Sequence, residues 1–315
     1  KKVGLTALAG SLAAVSAQAA EMSVSGASVL TYTQRDSTEL TGNPWGMKTN
    51  LSFTASGEVN GYTVSYMQTS KDQFAGMSSA RLSIDMGDMG VLAFDQGSGS
   101  GLATIDDKTP TAAEEIWDNL DASAATSNVP ARGLVGAAGS SGVWNYVQSV
   151  SGVTINAAYR KGSGASSGDG ATSGLGSGSA WDVALTTSET GVDGLSIGAG
   201  YGLQPQNTEH ENEHMTAFAN YSMGMATVGV QVSEIAKEAT GETGESTTAF
   251  GIAINVNDNL SISYGERETD YNKASSAHIT EDITGVAAAY TMGSIKIAGN
   301  INEVEIGRAS CRERV

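Results

Sequence analysis

The chain of 315 residues carries 40 glycines, 4 prolines, 1 cysteine and a formal net charge of −17. A single cysteine excludes a disulfide-stapled scaffold, and 34 acidic against 17 basic residues exclude a nucleic-acid backbone as main partner, because phosphates need cations. No run approaches the roughly 18 consecutive apolar residues of a spanning helix, so a mean hydropathy of −0.14 reads as soluble unless strands cross the membrane.

In chain order, Lys1 and Lys2 precede an Ala/Leu-rich stretch from Val3 to Val15, and Ala17-Gln18-Ala19 is a small-x-small cleavage signal. Residues 1–19 are therefore expected to be a signal peptide that sends the chain out of the cytoplasm. From residue 20 to 304 a two-residue alternation dominates, which puts one set of side chains on each face of a strand. Leu82, Ile84 and Met86 alternate with Arg81, Ser83 and Asp85, and Val228, Val230 and Val232 with Thr227, Gly229, Gln231 and Ser233. Fifteen strands are predicted, near 22–34, 46–57, 61–70, 78–86, 90–96, 142–149, 152–160, 180–188, 194–202, 214–222, 225–234, 247–256, 259–267, 282–291 and 294–303.

Short connections alternate with long polar ones. Glu58–Asn60, Val150-Ser151 and Met292-Gly293 are short; Asp36–Trp45, Gly162–Ser179, Leu203–Glu213, Ala236–Ser246 and Thr269–Glu281 are long. That is the pattern of an all-β, up-and-down antiparallel transmembrane barrel, which pairs every backbone group within the protein and needs little average hydrophobicity. Tyr62, Phe94, Tyr146, Tyr159, Tyr201, Tyr221, Tyr264 and Tyr290 recur near strand ends, where an interfacial girdle would lie. Such barrels have an even strand count, so the expectation is sixteen strands in the full-length protein with about fifteen here. Residues 305–315 hold Arg308, Arg312, Arg314 and Cys311 and resemble translated sequencing adapter; they are expected to be a non-native tail replacing the last strand.

One connection, Gly97 to Ser141, far exceeds the roughly 12–15 residues beyond which loops are usually functional or disordered. It carries Asp106, Asp107, Glu114, Glu115, Asp118 and Asp121. Thr111-Ala112-Ala113-Glu114 has the form of a capping box, and Ile116, Trp117 and Leu120 would share one face of a short helix. Arg35, Lys48, Arg81, Arg267 and Lys296 fall in the polar phase of the strands. Loop carboxylates facing such cations across water would set up a transverse field that selects among small solutes.

The signal peptide, the opening Met22-Ser23-Val24-Ser25-Gly26, the alternation and Asp106-Asp107 with Glu114-Glu115 in the third long loop resemble a Gram-negative general porin, of the alphaproteobacterial type. The resemblance covers essentially the whole mature chain. It implies an outer-membrane homotrimer embedded in lipid and lipopolysaccharide, passing small hydrophilic solutes and ions, with no enzyme activity, no cofactor and no nucleic acid. It implies that Asp106, Asp107, Glu114, Glu115 and Asp118 form the acidic side of a constriction and Arg35, Lys48 and Arg81 the basic side. The alternative is a non-conducting outer-membrane or secreted β-rich protein with a structural or adhesive use. His210-Glu211-Asn212-Glu213-His214 matches the zinc-protease pattern, which needs both histidines on one helical face; the segment reads as a polar loop, and the motif is set aside. The loop carboxylates could bind Ca²⁺, but no spaced set of oxygen ligands is present.

Overall fold

The computed structural model describes residues 21–32, 44–71, 76–117, 136–139, 141–162, 178–205, 210–237, 243–273 and 279–308. Fifteen strands form one sheet whose order is the chain order. They are β1 Glu21–Tyr32, β2 Trp45–Val59, β3 Tyr62–Ser70, β4 Met77–Asp85, β5 Val91–Gln96, β6 Ser141–Val150, β7 Val153–Arg160, β8 Ala180–Thr187, β9 Leu195–Pro205, β10 Glu211–Met223, β11 Ala226–Lys237, β12 Thr243–Asn255, β13 Leu260–Lys273, β14 Ile279–Met292 and β15 Ile295–Arg308. Each predicted strand has its counterpart. From β9 on, the long-loop ends run further than expected: β13 and β14 stay paired up to Tyr271↔Ile279, inside the stretch read as a polar loop. Backbone pairing continues there although the apolar alternation has stopped, and the alternation was the only signal the sequence offered.

The tight turns follow from local chemistry. Asn60 and Gly61 join β2 to β3 with φ of 53° and 83°, and Ser151 and Gly152 join β6 to β7 with 49° and 77°. Two consecutive positive-φ residues twist a hairpin to match its strands.

Contacts divide the chain into two compact units, the first holding β1–β5 with β6 up to Gln148, the second holding β7–β15 with residues 100–117 and 136–139. In the first unit the predicted phase holds. Tyr66, Leu82, Phe94 and Trp144 are cross-strand neighbours on one face, and Arg81 stands directly opposite Asp95 on the other. In the second unit Val230 and Val232 are exposed while Gly229, Gln231, Ser233 and Ile235 of the same strand are buried. What buries them is the long loop. Leu102 and Ile105 from that loop cluster with Ala184, Ile235 and Phe218 from the wall.

The helix expected around residues 111–120 is not formed in its described part, residues 111–117, which are bends and turns. The Thr111 hydroxyl donates to the Glu114 carbonyl at 2.9 Å and accepts from the Ala113 N–H at 3.3 Å, and the Ala112 N–H donates to Ser263 Oγ at 2.9 Å. Ser263 and the Thr111 hydroxyl take up two N–H groups that the first turn of a helix leaves unpaired, and the same hydroxyl takes the Glu114 carbonyl that a helix would pair along its own axis. Leu120 lies outside the described residues.

Candidate functional site

The long loop is held to the wall of the second unit by buried polar side chains projecting from the strands. Asp182, in the apolar setting of β8, is the first. One carboxylate oxygen accepts the Leu102 N–H at 2.8 Å; the other accepts the Ala137 and Ala138 N–H groups at 2.9 and 2.7 Å. Leu102 belongs to the outgoing limb and Ala137 and Ala138 to the returning limb, and all three are 0% exposed. A carboxylate accepting several N–H groups in a dry site makes charge-assisted bonds about twice as strong as neutral ones. Asn156 adds a bond from the Gly101 N–H at 2.9 Å.

Further along, Gln231 of β11 reads the loop backbone from both ends of its amide. Its oxygen accepts the Lys108 N–H at 2.6 Å, and its nitrogen donates to the carbonyls of Ile105 and Asp106 at 2.8 and 3.1 Å. Asn220 of β10 donates to the Lys108 carbonyl at 2.7 Å. Beyond Pro110 the hold on the wall is largely apolar: Pro110 lies over Gly229 and Gly251, and Ile116 over Gly265 and Gly285. Trp117 then stacks under Arg267 of β13, the guanidinium carbon 4.6 Å from the ring centroid.

These anchors set the charges of the loop. Asp107 and Glu114 are exposed, while Asp106, Glu115 and Trp117 are half-buried. Burial, followed by the adjacent Asp107 carboxylate, pushes Asp106 up from 3.8 to about 7, with Lys108 acting in the opposite direction. Asp106 and Trp117 border one small gap with Arg267 and Gln231. On the other side of Lys108 a cavity of about 570 Å³ is lined by Thr104, Lys108, Thr154, Asn156, Thr186 and Glu189, among others. A wall rich in hydroxyls with one charge of each sign suits water and small polar solutes.

The expected residues divide as follows. Asp106, Asp107, Glu114 and Glu115 lie together on one tract of loop; Asp118 and Arg35 lie outside the described residues. Lys48 is exposed on β2. Arg81 has local work in the first unit: Nη2 lies 3.4 Å from Asp95 Oδ2 and donates to the Gly99 carbonyl, while Asp95 also accepts the Ser98 N–H at 3.0 Å. It braces the point where the loop leaves β5. Glu211–Glu213, expected in a loop, belong to β10 together with the buried His214; residues four apart along extended backbone are about 13 Å distant, so the two histidines of the motif do not converge.

Asp182, Gln231, Asn220 and Asn156 were missed as functional positions, because in alternation they look like any polar inward residue. Asp182 alone left a trace, a carboxylate inside Ala180-Trp181-Asp182-Val183-Ala184-Leu185.

A sheet of sequential antiparallel strands with one long loop pinned on its face defines an up-and-down β-barrel of the outer membrane. The model of the Gram-negative porin family matches residues 4–308, and the chain belongs to that family; its place is the bacterial outer membrane. Solved structures agree in fold. In-vitro folded OmpT, an outer membrane protein of Vibrio cholerae, is similar with a TM-score of 0.63 at 11% identity, over 91% of this chain and 86% of that one. An anion-selective porin from Comamonas acidovorans gives 0.60 at 12% over 92% and 91%, and a multiply substituted Rh. blastica porin gives 0.59 at 14% over 91% and 98%. No curated protein matches the chain.

Proposed function

We propose that the chain forms a water-filled channel for passive diffusion of small hydrophilic solutes and ions, narrowed by its acidic third loop. The single observation that carries this reading is the loop itself, stapled to the wall by Asp182, Gln231 and Asn220 with Asp107 and Glu114 left exposed. Fixed carboxylates beside water select among ions. Asp106, Asp107, Glu114, Glu115 and Asp118 are the proposed acidic side, and Arg35, Lys48 and Arg81 the proposed basic side. The reading needs no enzyme chemistry and no cofactor. It includes the alphaproteobacterial type and a homotrimer in lipid and lipopolysaccharide; a Vibrio cholerae outer membrane protein among the similar structures has a trimer form.

The test is planar-bilayer recording of the purified protein with a salt gradient. Discrete channels are expected, and Glu114→Gln should shift the reversal potential toward anions by several millivolts. Absence of channels would reject the reading in favour of a structural or adhesive protein.

A further inference from the structure

Four glycines form one transverse row across the second unit. Gly229 stands directly opposite Gly251, Gly251 opposite Gly265, and Gly265 opposite Gly285, so the row crosses β11, β12, β13 and β14 without a break. Directly opposed residues share a face, and this is the face that the loop covers. None of the four has a positive φ, so no backbone conformation demands glycine there. Glycine inside a strand is also unfavourable, by roughly 0.5–1 kcal/mol against alanine, and often marks close approach of another backbone.

The approach is visible at each position. A Cβ on Gly251 would meet the Pro110 carbonyl oxygen at 2.7 Å and the Pro110 nitrogen at 3.1 Å; on Gly229 it would meet Pro110 Cδ at 2.5 Å and Asn220 Oδ1 at 1.9 Å. On Gly265 it would meet Ile116 Cγ2 at 3.0 Å, and on Gly285 it would meet Asn302 Oδ1 of β15 at 2.5 Å and Ile116 Cγ2 at 2.7 Å. Gly251 faces backbone, which cannot rotate away. Gly265 faces a side chain, which can be shortened.

We propose that Gly229, Gly251, Gly265 and Gly285 are the seat of loop residues 110–116, and that side-chain volume at these positions sets how far the acidic tract stands off the wall and hence the free cross-section offered to solutes. The second half rests on the channel reading above; the seat itself does not. A Cβ on the row lifts the tract while Asp182 and Gln231 still hold residues 102–108, so the tract moves into the solute path and does not leave it.

The experiment compares Gly251→Ala, Gly265→Val and the pair Gly265→Val with Ile116→Ala, with Gly299→Ala as control because a Cβ there meets nothing within 4 Å. Folding is checked by the electrophoretic mobility shift between unheated and heated protein; if Gly251→Ala does not fold, Gly265→Ala with and without Ile116→Ala takes its place. Hydrogen exchange then reads the Ala112 amide, which donates to Ser263, against the Leu102 amide, held by Asp182. Exchange at Ala112 should quicken at least tenfold in Gly251→Ala and Gly265→Val, stay unchanged at Leu102, and return toward parent in the Ile116→Ala pair. Single-channel conductance should fall in the first two and recover in the pair. Unchanged exchange at Ala112, whatever the conductance, would overturn the seat. Quickened exchange with unchanged conductance would leave the seat standing and overturn the link to solute passage.

Discussion

Replacing Asp182 by alanine removes the acceptor of three amides at once, those of Leu102, Ala137 and Ala138. Each N–H left unpaired in a dry site costs about 1–3 kcal/mol, so the gross loss is roughly 3–9 kcal/mol. Against it stands the relief of a carboxylate that is 2% exposed, since burying an ionised group costs several kcal/mol of hydration. A net loss of about 3 kcal/mol follows, and at 1.4 kcal/mol per tenfold the closed state of the loop base falls by roughly a hundredfold relative to the open one. The loss is local, because the bonds run from loop to wall and not from strand to strand. Hydrogen exchange should therefore rise about a hundredfold at Leu102, Ala137 and Ala138 while the amides of β11–β14 keep their protection. Asp182→Asn should fall nearer alanine than parent, since its amide nitrogen would point a donor at donors. Parent-like protection of the three amides in Asp182→Ala would refute the assignment of Asp182 as the staple.

Other outcomes follow from the same geometry. Because Asp106 titrates near 7, the loop gains a negative charge between about pH 6 and 8, so cation preference should rise across that range and Asp106→Asn should flatten it. For stability the sign is reversed: a carboxyl whose folded value exceeds its unfolded one stabilises fully below about pH 4 and loses that contribution as pH climbs through 7, so Asp106→Asn should stabilise at pH 8 and not at pH 4; equal unfolding midpoints at pH 8 would contradict this. Arg81→Gln removes the ion pair from Asp95, which is 0% exposed, and should cost about 1–3 kcal/mol, less than a fully buried pair because the guanidinium retains solvent; an unshifted thermal midpoint would refute the brace. Trp117→Leu takes away the ring beneath Arg267, a contact worth about 0.5–2 kcal/mol, and should broaden the distribution of single-channel conductances without preventing insertion.

The strands were legible because alternation is imposed by two different environments on the two faces of every strand. Leu82 against Arg81, or Val230 against Gln231, shows it without any knowledge of the neighbours. The acidic tract was legible as charge and its length as an anomaly. What holds the loop was not, since Gln231 accepts from Lys108 across a separation of 123 residues, and nothing local to either residue announces the other. The helix expected after Thr111 is not formed in its described part: the capping residue was present, but its hydroxyl closes on the Glu114 carbonyl, and the Ala112 N–H is held by the Ser263 hydroxyl 151 residues away. The glycine row lay in plain view as single letters in four strands and acquires meaning only once cross-strand register places Gly229, Gly251, Gly265 and Gly285 side by side.

The order of the anchors along the loop has a kinetic consequence. Leu102 reaches β8, 80 residues on; Lys108 reaches β11, 123 residues on; Ala112 reaches β13, 151 residues on. Each step outward along the loop waits for a strand further down the chain. Loop closure over such separations is slow and comes after local pairing, so the loop fastens progressively, base first and tip last, as successive hairpins join the sheet. A sheet halted before β13 would hold its loop only as far as Pro110, and Ala112 and Ile116 would find their places only when the last hairpins dock.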